Sequence, residues 1–152
     1  MENRLELLRG VVHPWHHDHF GHMNVRHYAP FFDDAVYHMW TLLGAPYSRM
    51  LPEHGVRTVS AEATTGFVKE LNAGDLIVID GVVSRIGTKS TSFHLRMLHA
   101  DTGELHATYD LVECSSIQRA ARRRPFLTPF VSALLNISSS PNSQTSFSDS
   151  VH

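Results

Sequence analysis

Apolar residues recur at spacings of three and four over four turns, from Tyr28 to Leu43. This period indicates an α-helix with one broad apolar face. Gly44 and Pro46 follow directly, and both residue types commonly end a helix. The face consists of Tyr28, Phe31, Phe32, Ala35, Val36, Met39, Trp40 and Leu43. Because it is wide and rich in aromatic residues, the sequence predicts a well-buried helix.

After a loop predicted around Pro52 to Gly55, the apolar period changes to two, which is typical of strands. We expect the first strand to place Val59, Ala61, Ala63 and Phe67 on one face. A further strand is predicted ahead of the helix, from Gly10 to Trp15. The four later strands are predicted at Arg57 to Val68, Leu76 to Ile86, around Phe93 to Met97, and at Leu105 to Ile117.

The predicted order of strand, long helix and four antiparallel strands describes a two-layer α+β domain. A single helix covers only part of one sheet face, and pairing with a second copy would bury the remaining apolar surface. We therefore expect at least a homodimer. Residues 1–137 form the predicted domain. Residues 138–152 contain 7 Ser among 15 residues, and we expect this tail to be disordered.

Composition narrows the class of partner. The chain has 152 residues, with 13 Lys and Arg against 15 Asp and Glu, and this balance favours neither nucleic acid nor an anionic membrane as a partner. One cysteine, Cys114, cannot form an internal disulfide, which fits a reducing compartment. The sequence has no signal-peptide pattern and no apolar run long enough for a membrane span. We expect a soluble, cytoplasmic protein.

The segment from His13 to Tyr28 concentrates the candidate chemistry, because it places six His with Asp18, Gly21 and Asn24 ahead of the helix. The first N–H groups of a helix lack partners inside it and favour negative charge nearby. A carboxylate facing such donors suits acyl-transfer hydrolysis, in which one group attacks or activates water and the other stabilises an oxyanion. The same residue types are also ordinary in loops and helix caps, so spacing alone leaves a purely structural loop open.

At these residues the chain reads D-H-F-G-H-M-N-V-R-H-Y, from Asp18 to Tyr28. This stretch resembles the Asp-x-x-Gly-His-(Val/Met)-Asn loop, with a Tyr four residues on, of the 4-hydroxybenzoyl-CoA thioesterase branch of the hotdog superfamily. The resemblance extends over roughly Leu8 to Leu135. It includes a turn at Leu71 to Asp75 and a basic segment that contains proline, at Arg122 to Pro129. It implies a hotdog fold and hydrolysis of an acyl-CoA thioester, without a metal or an organic cofactor.

By this resemblance Asp18 is the catalytic carboxylate, acting either as nucleophile or as general base toward water. The backbone amide of Val25 stands where the family polarises the thioester carbonyl. The remaining members of the implied catalytic loop are Gly21, His22 and Asn24.

Two residues complicate the roles that the resemblance implies for this loop. Pro30 lies inside the predicted helix, and we expect it to delay or kink the helix start and to shift the amide donor. His16 occupies the position where many family members have an acidic residue. A cluster of histidines beside Asp18 is expected to alter the proton affinity of that carboxylate.

Substrate-binding candidates lie both inside and outside the loop. Tyr28 is a candidate for shaping the acyl pocket, although an aromatic residue at helical spacing is more often simply part of the core. Glu62 stands mid-strand, where another hotdog branch places its carboxylate, although an outward-facing strand residue fits the pattern equally well. Lys89, Arg122 and Arg123 are candidates for binding the phosphates of CoA, and a solvated basic face is the alternative.

The sequence is also compatible with other functions. The loop histidines could ligate a metal ion, although no H-E-x-x-H or two-cysteine pattern accompanies them. A hotdog hydratase or dehydratase would use Asp18 and His22 to move protons. A non-catalytic acyl-thioester binding module would keep the pocket without turnover. The acyl group, the carrier (CoA or acyl carrier protein) and the choice between homodimer and homotetramer are not specified by the sequence.

Overall fold

The computed structural model describes residues 3–117, so the predicted boundary at 137 and the Ser-rich tail lie outside the described residues. None of the helices within this range is long and apolar enough to cross a membrane. The helices are α1, Tyr28–Leu42, and α2, Tyr47–His54. The strands are β1, Leu5–Val11; β2, Val56–Phe67; β3, Leu76–Ile86; β4, Ser90–His99; and β5, Leu105–Ile117.

The five strands form one sheet in the order β1-β3-β4-β5-β2, and each pair of neighbours is antiparallel. The predicted α+β class, with one long helix and a five-stranded antiparallel sheet, is therefore confirmed. Strand β2 lies at one edge of this sheet, because among residues 3–117 it pairs only with β5. Within residues 3–117, no second strand pairs with the other edge of this twelve-residue strand.

Helix α1 packs its apolar face on the sheet. The predicted face is confirmed by burial of Phe32, Met39 and Trp40 against alternate residues of the central strands. Gly81 on β3 lies against side chains of β1 and α1. A Cβ atom there would lie 2.9 Å from both Leu7 Cδ1 and Met39 Cε. Because both atoms are the ends of flexible side chains, a larger residue here would require Leu7 and Met39 to shift.

The positions predicted for two elements in the N-terminal half of the chain are wrong. The strand predicted at Gly10 to Trp15 ends at Val11, and a 3-10 turn at Pro14–His16 follows it. Pro14 opens this turn because it has no N–H to contribute to a strand ladder. The loop predicted around Pro52 to Gly55 is the second half of α2, which buries Met50 and ends at the left-handed Gly55.

The prediction that β2 places its apolar residues on one face is also wrong. A bulge between Ser60 and Glu62 shifts the pairing with β5. Val59 pairs with Cys114 before the bulge, and Ala63 pairs with Leu111 after it. Because an extra residue inverts the alternation of side chains, Val59 and Ala63 lie on opposite faces of the sheet.

A buried carboxylate joins the far end of α1 to the sheet. Glu113 on β5 is 4% exposed. Its two oxygens accept hydrogen bonds of 2.6 Å from Trp40 Nε1 and from the Tyr47 hydroxyl. Burial and the bond to Glu113 raise the pKa of Tyr47, so its hydroxyl stays protonated and donates. These bonds fasten α1 and α2 to β5, at the opposite end of α1 from Asp18.

Candidate active site

The loop between β1 and α1 folds back on itself around Asp18. The backbones of His17 and Met23 form an isolated antiparallel bridge. Inside that bridge, the Asp18 N–H donates to the His22 carbonyl and the Gly21 N–H donates to the Asp18 carbonyl, both over 3.1 Å. Gly21 has a φ of 85°, a conformation that is costly for residues with a Cβ atom. The glycine of the sequence motif therefore closes a tight turn next to the acid.

Both carboxylate oxygens of Asp18 accept hydrogen bonds. The Phe20 N–H donates to Oδ1 over 2.9 Å, and Asn24 Nδ2 donates to Oδ2 over 2.8 Å. These two bonds, Phe20 first, hold the pKa of Asp18 below its ordinary value of 3.8, with smaller contributions from the charges of His19 and His22. The side chain is therefore an ionised carboxylate at neutral pH. A carboxylate offers about four acceptor positions, so lone pairs remain for water or substrate.

Asn24 also builds the start of the helical segment. A 3-10 turn, Val25–His27, leads directly into α1. The side-chain oxygen of Asn24 accepts a hydrogen bond of 3.1 Å from the Arg26 N–H and so caps this turn. The first N–H of a helical segment has no partner inside the segment and carries partial positive charge. Val25 therefore opens an electropositive end next to the Asp18 loop.

The delayed helix start expected from Pro30 is not observed. Helix α1 begins at Tyr28, as the apolar period predicts, and the 3-10 turn stands ahead of it. Pro30 is the third residue of α1, where an N–H would have no acceptor inside the helix. The missing N–H therefore costs little at this position, and the donor candidate stays at Val25 in the turn.

A cavity of about 380 Å³ opens between the Asp18 loop and the end of β2. Asp18 and Val25 both line it, so the acid of the loop and the first residue of the turn border one space. The loop wall comprises Asp18, Phe20, His22, Met23, Val25 and Tyr28. The opposite wall comprises Phe67, Val68, Lys69 and Glu70.

Polar and aromatic contacts join the two walls of the cavity. His22 Nε2 lies 3.2 Å from Glu70 Oε2. The Tyr28 and Phe67 rings meet edge to face, with centroids 5.1 Å apart. Tyr28 is 3% exposed, and burial, followed by the charge of Glu70, raises its pKa. Tyr28 therefore presents a neutral hydroxyl group at neutral pH.

His13, His16 and His27 pack around one another in this loop. His16 Nδ1 accepts a hydrogen bond of 3.0 Å from the His13 N–H, and the His16 ring lies 4.9 Å from that of His27. Burial, followed by the charges of His27, His13 and His17, lowers the pKa of His16. The pKa of Asp18 is set chiefly by Phe20 and Asn24, without a contribution from His16. Within residues 3–117, no three His, Cys, Asp or Glu side chains are grouped to hold a metal ion.

The remaining candidates lie elsewhere. Glu62 is exposed on β2 and does not line the cavity. Lys89 lies in the turn between β3 and β4, where its carbonyl accepts a hydrogen bond of 2.8 Å from the Ser115 N–H. Arg122 and Arg123 lie outside the described residues. The roles given to these four residues stay predictions.

The residues of the opposite wall of the cavity were not predicted from the sequence as part of the site. Phe67 ends β2, and Val68 to Glu70 follow as an irregular connection. Nothing in their local pattern marks them, because the period of two describes faces of a strand and not what lies beyond its end. Tertiary contacts bring this connection to the start of α1, among them the Tyr28–Phe67 ring contact and the hydrogen bond from the Met23 N–H to the Leu71 carbonyl.

A model of one protein family matches residues 12–135, more than half of the chain. Its description is the thioesterase-like superfamily. A sequence comparison with curated proteins gave no significant match.

Solved structures similar to this chain include three thioesterase or CoA-bound proteins. A 1,4-dihydroxy-2-naphthoyl-CoA thioesterase from Synechocystis has a TM-score of 0.73 at 10% identity, covering 88% of this chain and 97% of its own. A hypothetical protein from Staphylococcus aureus, in complex with CoA, has a TM-score of 0.76 at 19% identity, covering 93% and 89%. A mutant 4-hydroxybenzoyl-CoA thioesterase complexed with 4-hydroxybenzoyl-CoA has a TM-score of 0.73 at 14% identity, covering 86% and 98%. At these identities the likeness shows the fold, and the predicted hotdog fold is confirmed.

Proposed function

The chain belongs to the thioesterase-like superfamily, and on that premise we propose that it hydrolyses an acyl-CoA thioester to a free carboxylic acid and CoA. One observation carries the proposal: Asp18 and Val25 line the same cavity. A thioester carbonyl in that cavity would have a carboxylate on one side and an electropositive backbone end on the other. Acyl transfer needs these two groups, one to form the new C–O bond and one to stabilise the oxyanion.

In the proposed reaction, the Val25 N–H hydrogen-bonds the thioester carbonyl oxygen and stabilises the negative charge that develops on it. Asp18 either attacks the carbonyl carbon itself, giving an anhydride that water then opens, or takes a proton from an attacking water. The tetrahedral intermediate collapses by breaking the C–S bond. The thiolate of CoA leaves and takes up a proton. The ionised state of Asp18 at neutral pH serves both routes.

The shape of the cavity supports an acyl substrate. Its lining is largely apolar or aromatic, with Asp18 on one wall and Lys69 and Glu70 on the other. The complexes of the similar Staphylococcus aureus protein with CoA and of the similar thioesterase with 4-hydroxybenzoyl-CoA support CoA as the carrier. Lys89, Arg122 and Arg123 remain the predicted phosphate contacts. Acyl carrier protein is the alternative carrier, and cytoplasmic location stays a prediction.

The proposed enzyme is a homo-oligomer of two or four subunits, in which β2 forms the contact of the basic dimer. Along this edge strand and just past its end, Val59, Phe67 and Val68 are 58%, 53% and 60% exposed. A long edge with apolar side chains favours pairing with another strand. Phe67 and Val68 also line the cavity, so a partner at β2 would cover part of its rim.

The experiment is a panel of aryl-, short-, branched- and long-chain acyl-CoA substrates together with an enoyl-CoA and a 3-hydroxyacyl-CoA. A thiol reagent detects the free CoA that is released. We expect turnover by the wild type, a loss of about 10²-fold or more for Asp18→Asn, and no loss for Asp34→Asn on the solvent-facing side of α1. Wild-type turnover by Asp18→Asn would exclude the mechanism. Binding without release of thiol across the panel would favour a non-catalytic module. Loss of the acyl double bond or hydroxyl without release of thiol would favour a hydratase or dehydratase.

A further inference from the structure

Two hydrogen bonds tie the Asp18 loop to the connection between β2 and β3. The Met23 N–H donates to the Leu71 carbonyl over 2.8 Å. In the opposite direction, the Ala73 N–H donates to Nε2 of the His17 side chain over 2.7 Å. The second bond depends on a side chain, and that side chain directly precedes Asp18 in the sequence.

The direction of the second bond determines the form of the His17 ring. A backbone N–H can only donate, so Nε2 must hold a free lone pair and the proton of the neutral ring must lie on Nδ1. Other residue types of similar size differ sharply in this respect. Phenylalanine has a ring but no acceptor, whereas the amide oxygen of glutamine reaches to about the position of Nε2 and accepts.

The connection that holds His17 is itself well anchored. Leu71 is fully buried in the core. The Val12 N–H donates to the Asp75 carbonyl over 2.9 Å, and the Gly74 N–H donates to the Val12 carbonyl over 2.8 Å. The Asn72 N–H donates to Asp75 Oδ2 over 2.7 Å. A group bonded to this connection is therefore held against the body of the sheet.

The same connection carries the second wall of the cavity. Lys69 and Glu70 line the cavity and stand immediately before Leu71 in the chain. The bonds at Leu71 and Ala73 therefore join the wall that bears Asp18 to the wall that bears Glu70. They fix the separation between the two walls and the place of the carboxylate in the space between them.

We propose that His17 is a positioning residue for Asp18, which it holds in place through the bond from Ala73. This proposal rests on the proposed thioesterase function. His17 does not line the cavity, so it acts on the reaction through the loop and not by contact with substrate. Because the loop is closed by its own backbone bonds from Asp18 to His22 and from Gly21 to Asp18, it moves as a unit, and a shift at His17 reaches the carboxylate.

The test compares His17→Phe with His17→Gln, assayed on the acyl-CoA substrate that the wild type turns over best. We expect His17→Phe to lower kcat by about 10- to 100-fold, the loss that follows from a displacement of roughly 1 Å of a catalytic group. His17→Gln should stay within about threefold of the wild type, because it restores the acceptor. His38→Gln, on the exposed side of α1, is the control for replacing a histidine and should change nothing. Wild-type kcat in His17→Phe, or equal losses in both His17 variants, would overturn the proposal.

A second measurement does not depend on turnover. Hydrogen exchange of the Ala73 amide should be slow in the wild type and in His17→Gln, and faster in His17→Phe. Equal exchange rates in all three proteins would show that the bond does not form in solution and would overturn the proposal by themselves. If the wild type hydrolyses no thioester but the expected exchange pattern is found, the proposed function is overturned. The hydrogen bond between Ala73 and His17 would still be established.

Discussion

Asn24 donates a hydrogen bond from Nδ2 to Oδ2 of Asp18 over 2.8 Å. The oxygen of the same amide accepts from the Arg26 N–H at the first turn of the helical segment. One side chain therefore contacts both the acid and the start of the helix. The two groups that the proposed reaction needs are held in a common geometry by Asn24.

Replacing Asn24 should shift the pH dependence of the proposed activity. The Asn24 bond lowers the pKa of Asp18, so Asn24→Ala raises that pKa toward its ordinary value of 3.8. If the ionised acid is the active form, activity is lost as pH falls through this pKa. The acid limb of the kcat/KM profile should therefore move to higher pH, with a loss of about tenfold at neutral pH because the carboxylate is less well held.

Asn24→Ser is the matched control for helix capping. Serine caps a helical turn as well as asparagine does, but its shorter side chain lacks the amide donor. We expect Asn24→Ser to keep the thermal stability of the wild type, whereas Asn24→Ala loses about 1 kcal/mol. Both should show the same shifted acid limb. An unshifted limb in Asn24→Ser would contradict the role of this bond.

Val25→Pro should remove the proposed oxyanion donor with little change in structure. Val25 is the first residue of the 3-10 turn, a position where proline is favoured. Asn24 has φ −67° and ψ 143°, a conformation that suits a residue before proline. Loss of one oxyanion donor costs about 10²- to 10³-fold in kcat. Val25→Ala keeps the N–H and should retain kcat, and parallel losses in the two variants would count against a backbone donor.

Val59→Lys should break the proposed dimer. Val59 is 58% exposed near the start of edge strand β2, and lysine on a strand edge opposes pairing with another strand. We expect the wild type to sediment as a dimer or tetramer and Val59→Lys to sediment as a smaller species. Val59→Thr, which keeps a β-branched side chain, is the control. A full-size assembly in Val59→Lys would place the contact elsewhere.

Glu113→Leu should destabilise the fold by about 2–4 kcal/mol, measured as the free energy of unfolding in denaturant. It removes the acceptor for both the Trp40 indole N–H and the Tyr47 hydroxyl, and each buried donor without a partner costs about 1–3 kcal/mol. Glu113→Gln keeps one oxygen and should lose about 1 kcal/mol. The same replacement at exposed Glu62 should cost less than about 0.5 kcal/mol. Equal effects at positions 62 and 113 would contradict this account.

Local pattern was a good guide where burial follows a regular period. The face of α1 from Tyr28 to Trp40 and the bounds of β3 and β5 were predicted from spacing, because one continuous core fixes which positions are apolar. The pattern failed where a single residue alters the geometry. The bulge at Ser60 inverts the faces of β2, and the helix around Pro52 carries a residue that usually ends helices.

The sequence by itself determined the α+β order of elements, the apolar face of α1 and the short motif that contains Asp18, Gly21 and Asn24. These features are local, since each depends on residues a few positions apart. The tertiary structure decided which wall faces Asp18, because Glu70 and His22 approach each other although they stand 48 positions apart in the chain. It also decided that His17 bonds Ala73, a contact over 56 positions. Contacts at that separation follow from strand pairing and packing, which no local period encodes.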